Sequence, residues 1–261
     1  MQLPLFQVDA FASQPFAGNP AAVCPLDDWL PDHVLQAIAE ENNLSETAFF
    51  VACEGGFHIR WFTPVAEVDL CGHATLAAAF VIFTEFDTAH NELVFQSRSG
   101  PLKVTRDGHR LVLDFPAQPP TLCAVPDAIT RAFAAEPVAC LAGEDYLVVF
   151  DSEDAIRAAA PDMAALASLD RRGVIITALR NDNAFVSRFF VPKLGISEDP
   201  VTGSAHTQLT PYWAAQTGNT DFIAHQLSRR GGELHCSIKG DRVLIAGQAV
   251  KYLTGTITIP H

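Results

Sequence analysis

Short apolar runs, each closed by Gly, Pro, Asp or Asn, recur along the chain and predict many strands with few helices. Runs rich in β-branched and aromatic residues cover 3–8, 48–52, 57–62, 111–115, 146–150, 174–178, 185–191 and 243–246, as strands between turns do. Helical periodicity is rarer. Residues 31–42 put Pro31 at a first turn and Val34, Leu35, Ile38 and Ala39 on one face. Residues 73–86, 162–169 and 204–216 read as three more helices. Many strands with a few helices give the class α+β.

A long-period repeat lies over this pattern. Arg60-Trp61-Phe62-Thr63-Pro64 returns 128 residues later as Arg188-Phe189-Phe190-Val191-Pro192. After each proline a glycine opens a helical run, first Gly72-His73-Ala74-Thr75 and then Gly203-Ser204-Ala205-His206, with three more residues of spacing in the second copy. A helical pattern also precedes each strand. The expectation is two pseudo-symmetric half-domains, 1–116 and 117–261, with Ala117-Gln118-Pro119-Pro120 as linker. The C-terminal strand is left free to pair with either half.

Composition narrows the classes. Of 261 residues 49% are hydrophobic and 18% charged, ordinary for a folded protein. The formal net charge is -13 and no Lys or Arg precedes Arg60, which argues against nucleic acid or an anionic membrane as partner. The start lacks the basic n-region and long apolar core of a signal peptide, and the longest apolar run, 77–83, is too short to span a bilayer. Six scattered cysteines without a Cys-x-x-Cys pair read as reduced thiols, so a cytoplasmic location is expected. No His-x-x-x-His, Gly-x-Gly-x-x-Gly or phosphate loop occurs, and His33, His90, His109 and His261 sit in polar surroundings. No metal and no cofactor are therefore expected.

Four side chains carry candidate chemistry. Glu46 opens an apolar strand, where desolvation would raise its pKa toward that of a general base. His73 follows Gly72 at a helix start, where the dipole would favour neutral imidazole. Asp199 and Ser204 flank Pro200-Val201-Thr202-Gly203, a turn leading into a helix. The N–H groups of the two helix starts suit a carboxylate, and Gly72 and Gly203 allow close approach. A solvated loop Glu, a surface histidine and a plain N-cap would explain the same residues one at a time.

Together the motifs resemble the PhzF-like family over essentially the whole chain. The resemblance rests on Val8-Asp9-Ala10-Phe11 with Phe16-Ala17-Gly18-Asn19-Pro20, on Asn43-Leu44-Ser45-Glu46-Thr47, on Asp69-Leu70-Cys71-Gly72-His73-Ala74-Thr75, and on the stretch from Gly195 to His206. It implies a diaminopimelate-epimerase-like fold, each half a mixed sheet wrapped round a central helix. It implies a cofactor-independent isomerase and homodimer that shifts a proton on a small carboxylate substrate held between the halves. Glu46 would be the acid/base, with His73, Asp199 and Ser204 assisting and Gly72, Ala74, Thr75, Gly203 and Ala205 lining the site. The related epimerases use one thiol per half. Here Cys71 occupies the first position and Pro200 is taken as its counterpart, so a two-thiol racemase is disfavoured. A racemase using Glu46 and Cys71, and a non-catalytic binding protein, remain as alternatives.

Overall fold

The computed structural model describes residues 1–86 and 89–259, so His261 lies outside the described residues. The chain divides into two compact units, Met1–Asp114 with Ala246–His261, and Phe115–Ile245.

The first unit runs β1 (Gln2–Ala10), β2 (Asn19–Leu26), α1 (Asp32–Asn42), β3 (Glu46–Cys53), β4 (Gly56–Phe62), β5 (Glu67–Val68), α2 (Gly72–Val81), β6 (Glu92–Ser97), β7 (Gly100–Asp107) and β8 (Arg110–Pro116). The second runs β9 (Thr121–Leu122), α3 (Asp127–Ala132), β10 (Ala139–Ala142), β11 (Tyr146–Val149), α4 (Glu153–Ala158), α5 (Met163–Ala167), β12 (Val174–Asn181), β13 (Ala184–Val191), β14 (Ile196–Asp199), α6 (Gly203–Thr217), β15 (Asp221–Gln226), β16 (Gly232–Lys239) and β17 (Arg242–Gly247). The last strand, β18 (Ala249–Thr258), pairs antiparallel with β1 and so belongs to the first unit.

Each unit has the same pairing pattern. In the first, β1 and β2 are antiparallel, β2 and β3 parallel, and β3 and β4 antiparallel. Strand β4 then takes β5 antiparallel and β6 parallel, and β6 and β7 are antiparallel. In the second, β10 to β16 repeat this sequence step for step. The duplicated Arg-aromatic-Phe strands are β4 and β13. Arg60 forks onto Glu67 of β5 at 2.7 and 2.8 Å, and Arg188 onto Glu198 of β14 at 2.7 and 3.0 Å. Each guanidinium also lies near a phenylalanine ring two residues on, 5.1 Å from Phe62 and 4.9 Å from Phe190. A bidentate pair with an aromatic neighbour requires arginine, which is why this motif persists in both copies. The three extra residues of the second copy form a 3₁₀ turn, Pro192–Leu194, closed by Gly195 at φ 81°.

The two helices that follow are buried on nearly every side, as a helix enclosed by sheet must be. Only Gly72 and Phe80 of α2 escape full burial. In α6, residues 205–211 are buried. Pro211 lies inside α6 and cannot donate to Thr207 O. The Gln118 N–H donates to that carbonyl instead, at 3.0 Å. No helix among the described residues is long and apolar enough to cross a membrane.

Candidate active site

Local geometry explains how Glu46 and His73 meet. Helix α1 stops at Asn43, which takes the left-handed conformation at φ 48°, one of the few side chains that tolerates it. Leu44 and Ser45 then turn the chain so that Glu46 becomes the first residue of β3, in register with Ala21 of β2. The loop before β2 is held by Asp9 Oδ2, which accepts the Phe16 N–H at 2.9 Å. Gly18 sits there at φ 67°, and a Cβ on it would fall 2.1 Å from Ala10 O. This turn delivers Asn19 to the start of β2.

Around His73 the side chains form a line. Asn19 Nδ2 stands 3.2 Å from His73 Nδ1, and Cys71 Sγ 3.4 Å from the same nitrogen. Ser45 Oγ donates to Asn19 Oδ1 at 3.0 Å. On the far side of the ring Nε2 lies 3.1 Å from Glu46 Oε2, near enough for an ion pair but not aligned as a hydrogen bond. When the ring is neutral, Asn19 can donate to the Nδ1 lone pair, and the ring proton then sits on Nε2, toward the carboxylate. His73 is buried, while the Glu46 side chain keeps 18% exposure and forms the accessible end of the line.

The helix dipole was expected to keep His73 neutral, and the structure corrects this. Burial does oppose the imidazolium, but the Cys71 sulfur and the Glu46 carboxylate against the ring outweigh it and lift the His73 pKa well above its ordinary value. Burial holds the Cys71 thiol up to about 11, so at neutral pH that sulfur is uncharged.

The counterpart of Cys71 also needs correcting. Helices α2 and α6 start at Gly72 and Gly203, with Cys71 and Thr202 as their N-caps. Thr202, not Pro200, is thus the structural match. The three extra residues before the second glycine make the offset between the helix starts 131 residues, which carries Cys71 onto Thr202. No thiol stands at the second position either way.

Asp199 and Ser204 belong to the second unit. Asp199 ends β14 and its Oδ2 accepts the Thr202 hydroxyl in a short contact. Gln226 braces this corner: its Oε1 accepts Thr202 N–H at 2.9 Å and its Nε2 donates to Asp199 O at 2.8 Å. Ser204 does not cap α6; it is the second residue of the helix, and its Oγ accepts from Arg172 Nη2 at 3.0 Å. Gly72, Ala74 and Thr75 form the first turn of α2, with Thr75 Oγ1 donating to Cys71 O. Gly203 and Ala205 are in the first turn of α6. The first N–H groups of both helices have no partner within the helix.

Asn19, Ser45, Arg172 and Gln226 were not singled out from sequence. Asn19 and Ser45 were visible only as parts of quoted motifs, and Arg172 and Gln226 carry no local signal because their partners lie far along the chain. Glu46, Cys71 and His73 also form a set of possible metal ligands. Cys71 and Glu46 face opposite ring nitrogens, however, which suits a proton relay better than a shared ion. An apolar hollow of about 610 Å³ lies along α1 and the end of β18, beside Leu30, Val34, Ile38 and Ile257. None of the site residues lines it.

Known proteins resemble this chain along its full length. The family model for phenazine biosynthesis-like proteins matches residues 8–255. An uncharacterised isomerase of Pseudomonas aeruginosa is 55% identical over 257 residues, 98% of this chain and 99% of its own. The crystal structure of a PhzF-family phenazine biosynthesis protein from Enterococcus faecalis superposes with a TM-score of 0.95 at 45% identity, covering 99% of this chain and 100% of the other. A hydroxyproline epimerase from Agrobacterium vitis shares the fold, with a TM-score of 0.65 at 11% identity over 98% of this chain and 91% of its own.

Proposed function

The chain belongs to the phenazine biosynthesis-like (PhzC-PhzF) family, and on that premise we propose that this isomerase shifts a proton along a small carboxylate-bearing substrate, with Glu46 as acid/base. The observation that supports this most is the Glu46–His73 contact of 3.1 Å, in which the carboxylate is the less buried partner and the imidazole is held from behind.

In this reading the Glu46 carboxylate removes a proton from an acidified C–H. The electron pair left behind spreads into the adjoining π system. The proton then returns at a different carbon, from Glu46 or from the Nε2–H of His73. The net change is an isomer, and no electrons are gained or lost. Misaligned proton-transfer pairs commonly tighten only with substrate present. The N–H groups and hydroxyl at the start of α6 receive the substrate carboxylate. Asp199, tied to Thr202, assists as a fixed negative group. Positioned acid/base catalysis of this kind contributes about 10²–10⁴-fold.

We further propose that the protein works as a cytoplasmic homodimer without a cofactor. Supporting the dimer, Tyr252 and Leu253 of β18 are exposed, and Phe16, 73% exposed, packs edge-on against Tyr252 at 5.5 Å. Supporting the location, all six cysteines are unpaired thiols.

The test is a panel of small carboxylates screened for exchange of carbon-bound hydrogen in D₂O. Exchange by the wild type and its loss in Glu46→Gln are expected. Ligand-induced thermal stabilisation with no exchange from any compound would instead make the protein a binding module. Exchange that survives in Glu46→Gln and disappears in Cys71→Ser would make the thiol the base.

A further inference from the structure

Asp145 is fully buried at the start of β11, and a buried carboxylate is tolerated only when paired and hydrogen-bonded. Arg172, two residues before β12, satisfies it from both sides: Nε reaches Oδ1 at 3.0 Å and Nη2 reaches Oδ2 at 2.6 Å. Gln208 Nε2 adds a third donor to Oδ2 at 3.2 Å. The backbone is shaped for this cluster, since a Cβ on Gly143 would fall 2.2 Å from Gln208 Oε1. The guanidinium also lies near the Phe189 ring, 5.4 Å from its centre, and Nη1 meets Glu144 at 3.0 Å.

These contacts satisfy Asp145 completely, yet Nη2 makes one more, to Ser204 Oγ at 3.0 Å. Arginine has no acceptor, so in this contact the serine oxygen must accept. A hydroxyl has a single proton. With Arg172 on one lone pair, the Ser204 O–H is left to donate, and it stands beside the first N–H groups of α6, which have no partner within the helix. Glu144 and Asp145 together carry more negative charge than Arg172 carries positive. The guanidinium therefore does not act as a long-range anion trap; what it supplies is direction.

We propose that Arg172 is a positioning residue that holds the Ser204 hydroxyl as a hydrogen-bond donor to the substrate carboxylate. The proposal rests on the carboxylate-binding role given above to the start of α6. Lysine could keep the charge opposite Asp145, but its single ammonium cannot hold both carboxylate oxygens and the serine together.

The test is a double-mutant cycle on Arg172→Lys and Ser204→Ala, read first by NMR titration with benzoate as the carboxylate probe. Each single variant is expected to weaken benzoate binding about tenfold, the size of one lost hydrogen bond to a charged group. The double variant should be no weaker than Ser204→Ala alone, because Arg172 acts through that hydroxyl. Full additivity, or an unchanged affinity in Arg172→Lys, would overturn the proposal. Should Arg172→Lys prove unfolded by circular dichroism, Arg172→Gln, which retains donors toward Asp145, takes its place in the same cycle. A second readout uses whichever carboxylate exchanges hydrogen with the wild type: Arg172→Lys should raise KM with little change in kcat, and a fall in kcat alone counts against it. Glu46→Gln separates the two ideas. If Glu46→Gln keeps full exchange, the proposed reaction is wrong while the benzoate cycle still decides Arg172. If wild-type protein fails to bind benzoate, the carboxylate role of α6 and this proposal fall together.

Discussion

His206 should make the protein lose stability in mild acid, and replacing it with asparagine should remove that loss. The ring is fully buried in the first turns of α6, stacked on Phe185 at 5.9 Å, with Nδ1 2.7 Å from Thr202 O and Nε2 buried without a partner. Nδ1 must carry the proton, because a carbonyl can only accept. A second proton on Nε2 would be a buried charge with nothing to stabilise it, and burial lowers the pKa to about 4. The unfolded chain binds that proton near pH 6.5. The folded pKa is depressed, so the stability this group contributes is present above pH 6.5 and is lost as pH falls toward 4. Linkage gives a loss of about 2 kcal/mol between pH 7.5 and pH 5. An asparagine side chain in its place would keep a donor for Thr202 O and cannot be protonated. His206→Asn should be less stable at pH 7.5, because the stacked ring is gone, but its decline toward pH 5 should be smaller by about 2 kcal/mol. Urea unfolding at pH 7.5, 6 and 5 on both proteins measures this directly. His73 works in the opposite sense: its raised pKa contributes stability below pH 6.5 that is lost as pH rises through the folded value. It is common to both proteins, so the difference between the two curves isolates His206. Parallel curves would show that the ring is already charged or already solvated, and the reasoning would fail.

Other outcomes follow from the same structure. Glu46→Gln should lower the His73 pKa, followed by NMR of the ring hydrogens, and cut turnover by about 10² or more; an unmoved His73 titration would mean that the carboxylate is not what holds that proton. Cys71→Ser should retain most activity in the same exchange assay, because the thiol is already protonated at neutral pH and serine keeps a polar group beside Nδ1. Gly143→Ala should destabilise by about 1–3 kcal/mol in thermal or urea melts by pushing the Gln208 amide off Asp145. Cys24 and Cys236 are buried thiols held up to about 12. The unfolded state releases their protons near pH 9 while the folded state keeps them, so stability should fall above pH 9 by about 1.4 kcal/mol per pH unit per thiol. Cys24→Ala should flatten that alkaline slope, and an unchanged slope would contradict it.

The duplication was legible because Arg60 and Arg188 each perform a task that tolerates no substitute, a forked ion pair beside a phenylalanine. Their partners Glu67 and Glu198 escaped notice because the 3₁₀ turn at Pro192–Leu194 shifts one of them by three residues. Helices α1 and α6 stood out through Pro31 and the glycine start of α6. Strands such as β16, with only Leu234 and Cys236 fully buried, lack the continuous apolar run that marks β12 and β13. Strand β18 is largely exposed and offers still less pattern. Its partner, β1, lies at the other end of the chain, so only the folded register reveals that the last strand completes the first unit.

The site divides along the same line. Residues that touch solvent or start helices, such as Glu46, His73 and Ser204, sit in motifs that a linear reading can find. Residues that orient them do so from a distance: Asn19 comes from 54 residues before His73, and Arg172 from 32 before Ser204. An isolated Asn in a turn or an Arg before a strand looks like any other. Their role shows only when donors and acceptors are counted around a buried ring or hydroxyl, where each proton has one place to go. In both units that count ends the same way. In each, a polar group lies against a held partner, Glu46 Oε2 3.1 Å from His73 Nε2 and Ser204 Oγ 3.0 Å from Arg172 Nη2. The two units thus carry unlike chemistry at matching places, a carboxylate–imidazole contact at the start of α2 and a guanidinium–hydroxyl contact at the start of α6.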